Sequence, residues 1–417
     1  MKVFPRLVLF MCLLPNVLRA DPDAERCVEA AKMVNAFAAA HHRLLPAGNA
    51  LTSPWSIETN MAMVYAGAEG QTREAMRKAF FFPPDDRLHM AFQSLRQSLL
   101  AKPAADVGSD HLRVANRVFY AQKLALLSGW LTITRTHYAA EVAPIDFSAD
   151  PSGSAKTINQ WVSDQTTGKI PAIIPDDELD PLVRVVLVNA VYFDLPWDER
   201  FTKELTQDQP FHINATQIKT VPLMFKQHRL GYARKDGFQI AALPYAGGTF
   251  QFIVILPDAV DGLARVEKAI TGELLSECAK LQSTEVRLSF PRIRLEPPIV
   301  SLKRSLTAMG AGIMFDASPG GADFSRMVRE PLYVSKVFHR TYLELDEEGT
   351  KAAAATATII RPKNGVPHEV PHEVVKADHP FLFMIQHVPS GACLFLGRLT
   401  DPAVGVSAVA GTAPAKK

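Results

Sequence analysis

Cysteine is scarce in this chain, four residues in 417, and one of them, Cys12, lies in a leader-like N-terminal segment. The other three, Cys27, Cys278 and Cys393, are odd in number and widely spaced, which excludes a disulfide framework and leaves stability to a large apolar core. Excess charge is absent as well. With Lys2, Arg6 and Arg19 of the leader set aside from 45 basic residues, 42 remain against 43 acidic ones. No strong field then steers the chain to nucleic acid or to a membrane surface. Beyond residue 20 no apolar run is long enough to span a bilayer. No Pro/Gly/Ser-rich linker interrupts the middle, so residues 21–401 are expected to form one large unit, followed by a small-residue, featureless tail over 402–417.

Catalytic patterns are equally thin. There is no glycine-rich phosphate loop and no nucleophile elbow. One motif, His368-Glu369-Val370-Pro371-His372, satisfies the zinc-protease pattern, which requires one helical turn to bring both imidazoles to a metal. Pro371 lies inside that turn and Pro367 directly before it, and proline in a helix interior costs about 3 kcal/mol. The same residues also read as a tandem Val-Pro-His-Glu repeat, from Val366 and again from Val370, which suits an extended segment. No enzyme, metal or cofactor is expected.

What the chain does have begins with an address. Residues 1–20 carry Lys2 and Arg6, an apolar stretch over 7–14, and Ala20 before Asp21-Pro22-Asp23, the layout of a signal peptide cut after Ala20. A secreted or periplasmic protein is expected, and Asn214-Ala215-Thr216 is a glycosylation sequon usable only where the route glycosylates. Residues 25–45 place apolar side chains at helical spacing. Ser53 and Ser56 stand inside an apolar stretch, where a helix cap would satisfy them.

Near the C-terminus, Glu347-Glu348-Gly349-Thr350-Lys351-Ala352-Ala353-Ala354-Ala355-Thr356 reads in two ways. Alanine has the best helix propensity. As a strand, the same run puts Thr350, Ala352, Ala354 and Thr356 on one face, all small enough to enter a packed sheet without overpacking it. Residues 337–346 alternate, with Val337, His339, Thr341, Leu343 and Leu345 on one face, so the chain enters the alanine run from a strand.

This run closely resembles the hinge of the serpins, inhibitors whose exposed loop is cut by a protease and then inserts into a central sheet. The resemblance widens at Ser53-Pro54-Trp55-Ser56-Ile57, Leu187-Val188-Asn189-Ala190-Val191, Leu243-Pro244-Tyr245, Leu288-Ser289-Phe290-Pro291-Arg292, Ala322-Asp323-Phe324-Ser325 and His379-Pro380-Phe381, in order over nearly all of the chain from residue 26. It implies an α+β serpin fold: a large central, mostly antiparallel sheet, surrounding helices, smaller sheets and an exposed reactive-centre loop. Ser53, Ser56, Asn189 and His339 would form the cluster, called the shutter, beneath the part of the sheet that must open. Residues 158–170 would be the helix across its front. Trp197 and Phe201 would stand at the breach where insertion begins, although Asp194-Leu195-Pro196 replaces the family's usual Lys-Gly. Arg292 would pair with Glu347.

By the family's hinge-to-scissile spacing, the reactive bond falls at Lys363-Asn364, with Arg361-Pro362 as runner-up, disfavoured by the proline. A lysine before the cut suits a trypsin-like serine protease, which is the expected partner of a monomeric inhibitor. The hinge is then Glu347, Gly349, Thr350, Ala352, Ala353, Ala354, Ala355 and Thr356. Alternative readings are a non-inhibitory serpin acting as carrier or chaperone, and a cross-class inhibitor of cysteine proteases. The segment between Lys363 and Pro380 is longer than usual in the family because of the Val-Pro-His-Glu repeat.

Overall fold

The N-terminal helix, Pro22–His42, starts where Asp21 caps it, its side chain accepting from the Asp23 N–H, with Pro22 in the first turn. Proline costs nothing there because its missing N–H would have no helical partner. The buried face carries Cys27, Ala30, Val34, Phe37 and Ala38. The next long helix, Pro54–Gly67, is buried along its whole length and capped by Ser53, whose side chain accepts from the Ser56 N–H. These elements belong to a computed structural model that describes residues 21–101, 112–175, 177–350 and 372–404.

Among the described residues nine strands form the largest sheet, antiparallel throughout except where Gln282–Pro291 runs parallel to Glu373–Lys376. At its centre Phe238–Pro244, Phe250–Pro257, Phe381–His387 and Ala392–Leu399 pair in succession. Both faces of these strands are covered, which explains their nearly unbroken apolar sequences. Gly397 sits directly under the Phe383 ring, where a Cβ would come within 2.1 Å of the ring edge. No other residue fits that contact. Cys27, Cys278 and Cys393 are free and buried.

A three-stranded sheet consists of Leu112–Ala121 between Glu141–Ile145 and Val185–Phe193. The Pro151–Gln165 helix lies over it, with Ala155, Ile158 and Val162 packed on Phe119 and Val188. Gly168, at φ +76°, follows the end of this helix, as its sequence leads one to expect. Among the described residues, Val185–Phe193 pairs on one side only. Of the alternating run near residue 340, Phe338–His339 pairs with Val300–Ser301 and Leu343–Leu345 pairs with Ile293–Leu295. His339, Thr341, Leu343 and Leu345 are buried while their neighbours are half-buried, so the alternation read from the sequence holds from His339 onward, whereas Val337 is half-buried like Phe338.

Candidate functional site

Alternation carries past Leu345 to Glu347 and Gly349, and this sets the geometry of the site. Gly349–Thr350 is a two-residue strand placed between Leu343–Leu345 and Leu195–Pro196, with Gly349 opposite Pro196 and Thr350 opposite both Leu195 and Leu345. At φ +148° a Cβ on residue 349 would lie 2.3 Å from the Leu195 carbonyl oxygen, so the backbone approach requires glycine. Thr350 is 2% exposed, and its hydroxyl shares a 2.6 Å hydrogen bond with the Tyr245 hydroxyl. The two residues Gly349 and Thr350, which precede the alanine run in sequence, are therefore inside a sheet.

Glu347 is buried at the base of this insertion. Arg292 donates to both of its carboxylate oxygens, Nε at 3.0 Å to each and Nη2 at 2.6 Å to Oε1, while the Thr206 hydroxyl donates at 2.7 Å. Burial would raise the Glu347 pKa, but the Arg292 and Thr206 hydrogen bonds outweigh it and hold the carboxyl below its ordinary value. The same contact raises the Arg292 pKa. Glu348 points the other way and pairs with Arg200 and Lys203 at 2.8 and 2.9 Å. Two adjacent acids thus clamp the chain from opposite sides just before it turns into the sheet.

Trp197 closes the site. Its indole N–H donates to the Asp346 carbonyl at 2.8 Å and its backbone N–H to the Glu348 carbonyl at 3.0 Å. Its ring stacks on Tyr245 at 4.6 Å and meets Phe201, Phe252 and Phe290 edge-on. Phe201 also donates its N–H to the Glu347 carbonyl.

A second cluster lies around the start of the Pro54–Gly67 helix. His339 Nε2 accepts from the Ser53 N–H at 3.1 Å, and the Ser53 hydroxyl donates to the Leu394 carbonyl at 2.7 Å. Thr341 donates to the Leu51 carbonyl at 3.0 Å. Burial, with a smaller contribution from His41, lowers the His339 pKa to about 3, so the ring is neutral and its Nε2 is free to accept. Three segments distant in sequence, those around residues 51–56, 339–341 and 394, are tied together by these bonds.

Residues 29–402 match the family described as serpin (serine protease inhibitor). The chain belongs to the serpin family. The leukocyte elastase inhibitor of Bos taurus is 38% identical over 368 residues, which is 86% of this serpin and 94% of that protein. Serpin B6 of Pongo abelii is 38% identical over 365 residues, covering 85% and 93%. Among solved structures, maspin superposes with a TM-score of 0.80 at 25% identity, covering 91% of this chain and all of its own. A cleaved serpin, Serpin 42Da, gives 0.77 at 26%, covering 91% and 99%. The family it belongs to is one of protease inhibitors and not of enzymes, and its fold is the α+β serpin fold expected from the sequence.

Of the residues singled out in the sequence, Glu347, Gly349, Thr350, Trp197 and Arg292 meet at one place, and Ser53 and His339 at another. Ser56 adjoins the second cluster through its N–H. Asn189 is on the Val185–Phe193 strand opposite Asn116; its side chain lies outside the described residues. Ala352, Ala353, Ala354, Ala355, Thr356, Arg361, Pro362, Lys363 and Asn364 also lie outside them, as do residues 366–371 of the repeat. Sequence reading gave no role to Tyr245, Thr206, Arg200 or Lys203. A tyrosine after Leu243-Pro244 was a clue to fold, but nothing local tells that its hydroxyl faces a threonine 105 positions away.

Proposed function

We propose that this serpin is a secreted or periplasmic suicide-substrate inhibitor of trypsin-like serine proteases, with Lys363-Asn364 as its reactive bond. The observation that carries the reading is Gly349–Thr350, buried and paired between two strands at the head of a run of small residues. In this scheme the protease serine attacks the Lys363 carbonyl, an acyl ester forms, and the Asn364 amine leaves. The loop, freed at one end, extends the strand already begun at Thr350, with Ala352 to Thr356 following as its next residues. Each added ladder bond contributes about 0.5–1.5 kcal/mol net, so roughly a dozen supply on the order of ten. Glu347 and Arg292 fix the base of the hinge, Trp197 the breach, and Ser53, Ser56, Asn189 and His339 the shutter. Residues 21–401 act as one unit.

A second reading of the target comes from the leukocyte elastase inhibitors among the relatives, whose name points to an elastase rather than to the trypsin-like protease that a lysine before the cut favours. Incubation of the mature chain with trypsin and, separately, with leukocyte elastase decides between them. A boiling-stable band at the summed mass with trypsin, together with a released peptide beginning at Asn364, is the expected result. A band with elastase alone moves the reactive bond, and clean cleavage by both proteases leaves the non-inhibitory reading. Amino-terminal sequencing of the exported protein is expected to begin at Asp21.

A further inference from the structure

Between the Val185–Phe193 strand and the segment over residues 331–338 lies a cavity of about 290 Å³, floored by the Pro54–Gly67 helix. Its walls include Met61, Val64, Ile173, Val183, Leu187 and Met327. This is near the lower end of the size range of small-ligand pockets, about 300–1,000 Å³. Charges along the lining balance, Glu178 and Asp180 against Arg184 and Lys336, and Glu178 forms an ion pair with Lys336. A ligand of either sign would gain little here; a neutral one loses nothing.

Among the described residues, a buried uncharged polar atom on the cavity floor has no protein partner. Asn60, on the floor, is 9% exposed, and its buried Oδ1 accepts no hydrogen bond. Asparagine at this place is poorly explained by packing, because every neighbour on the helix is buried and the position faces apolar walls. A water molecule can satisfy the oxygen, but displacing water from apolar walls while keeping one donor on the amide favours an organic ligand.

We propose that the cavity binds a small, neutral, apolar molecule carrying a single hydroxyl, with its body against the valine, leucine and methionine walls and its O–H donating to Asn60 Oδ1. Such a ligand wedges against Val185–Phe193, on the side where the strand has no partner among the described residues. It thereby slows strand insertion and shifts the protein from trapping to being cleaved. This consequence rests on the inhibitory reading above; the binding does not.

The test uses 2-naphthol as fluorescent probe and naphthalene as its counterpart without a donor, titrated against the full mature chain. One saturable site is expected for 2-naphthol. Asn60→Leu weakens it about tenfold and leaves naphthalene unchanged, as loss of one hydrogen bond of about 1.4 kcal/mol requires. Val334→Trp, which fills the cavity from its half-exposed wall, abolishes binding of both probes, and thermal unfolding checks that each variant is folded. Absence of saturable binding, 2-naphthol affinity unchanged in Asn60→Leu, or binding that survives Val334→Trp overturns the site. In the trapping assay 2-naphthol is expected to lower the fraction of covalent complex. Binding without that effect overturns the regulatory role alone, and failure to trap any protease without ligand is a failure of the inhibitory reading instead.

Discussion

Glu58 is the residue whose cost to this serpin is plainest. It lies in the middle of the Pro54–Gly67 helix with no exposure, and among the described residues neither carboxylate oxygen has a hydrogen-bond partner. Burial pushes its carboxyl well above the ordinary 4.5. A carboxyl raised in the folded state is deprotonated first in the unfolded chain, so the native state loses stability as pH climbs above about 4.5. Glu58→Met, similar in length and without the polar atoms, is expected to stabilise the protein by about 1–3 kcal/mol near neutral pH. The gain should be larger at pH 8 than at pH 5. Urea denaturation of both proteins at the two pH values measures it, and a less stable variant would show that the carboxyl has a structural partner after all. His339 acts in the opposite sense. With its pKa lowered to about 3, it favours the fold increasingly as pH rises from 3 toward 6.5.

At the scale of elements, the hinge strand is held by two kinds of contact that fail differently. Its backbone is fixed by the approach of Gly349 to Leu195, and its first inward side chain by the hydroxyl pair of Thr350 and Tyr245. Arginine at 350 would put an unpaired charge where only 2% of the residue meets solvent. Burying such a charge costs several kcal/mol, which is enough to stall the strand before the alanines follow. Thr350→Arg is therefore expected to leave cleavage by trypsin intact while reducing the boiling-stable complex at least tenfold on a denaturing gel. Persistence of the complex would place the inward register elsewhere. The alternation over residues 337–346 made this register legible, because a strand with one buried face shows its period in sequence. Helix propensity pointed the other way for the alanine run. At Gly349 and Thr350 the sheet wins, since backbone pairing on both sides outweighs a weak local preference. The clamp of Arg292, Arg200 and Lys203 on the two glutamates was only partly legible: the Arg292 pair was expected from resemblance, whereas Arg200 and Lys203 have no local signature.

At the scale of the whole molecule, Val185–Phe193 has a partner along one edge among the described residues, and Gly349–Thr350 pairs with Leu195–Pro196 just beyond its end. A strand edge without a described partner leaves stability to be gained by adding a strand. If cleavage at Lys363 allows the loop to fill that edge, on the order of ten kcal/mol of ladder bonds should raise the melting midpoint by about 20 °C, using roughly 2 °C per kcal/mol for a large domain. Calorimetry before and after limited trypsin cleavage reads the change directly. An unchanged midpoint would mean that the cut loop stays outside.

Sequence by itself determined the fold family, through motifs that resemble the serpins in order along the chain, and the alternating strand that leads into Gly349–Thr350, because a half-buried strand shows its period; the Arg292–Glu347 pair was expected from that resemblance. It also showed that stability had to come from a core, since three isolated thiols cannot staple so long a chain. Only the tertiary structure decided that Glu58 and Asn60 are stranded without partners, that Trp197 caps the hinge carbonyls, and that Tyr245 receives Thr350. Those outcomes depend on which distant segments meet. A helix buried on all sides carries no amphipathic period to betray which of its polar residues find a bond and which do not.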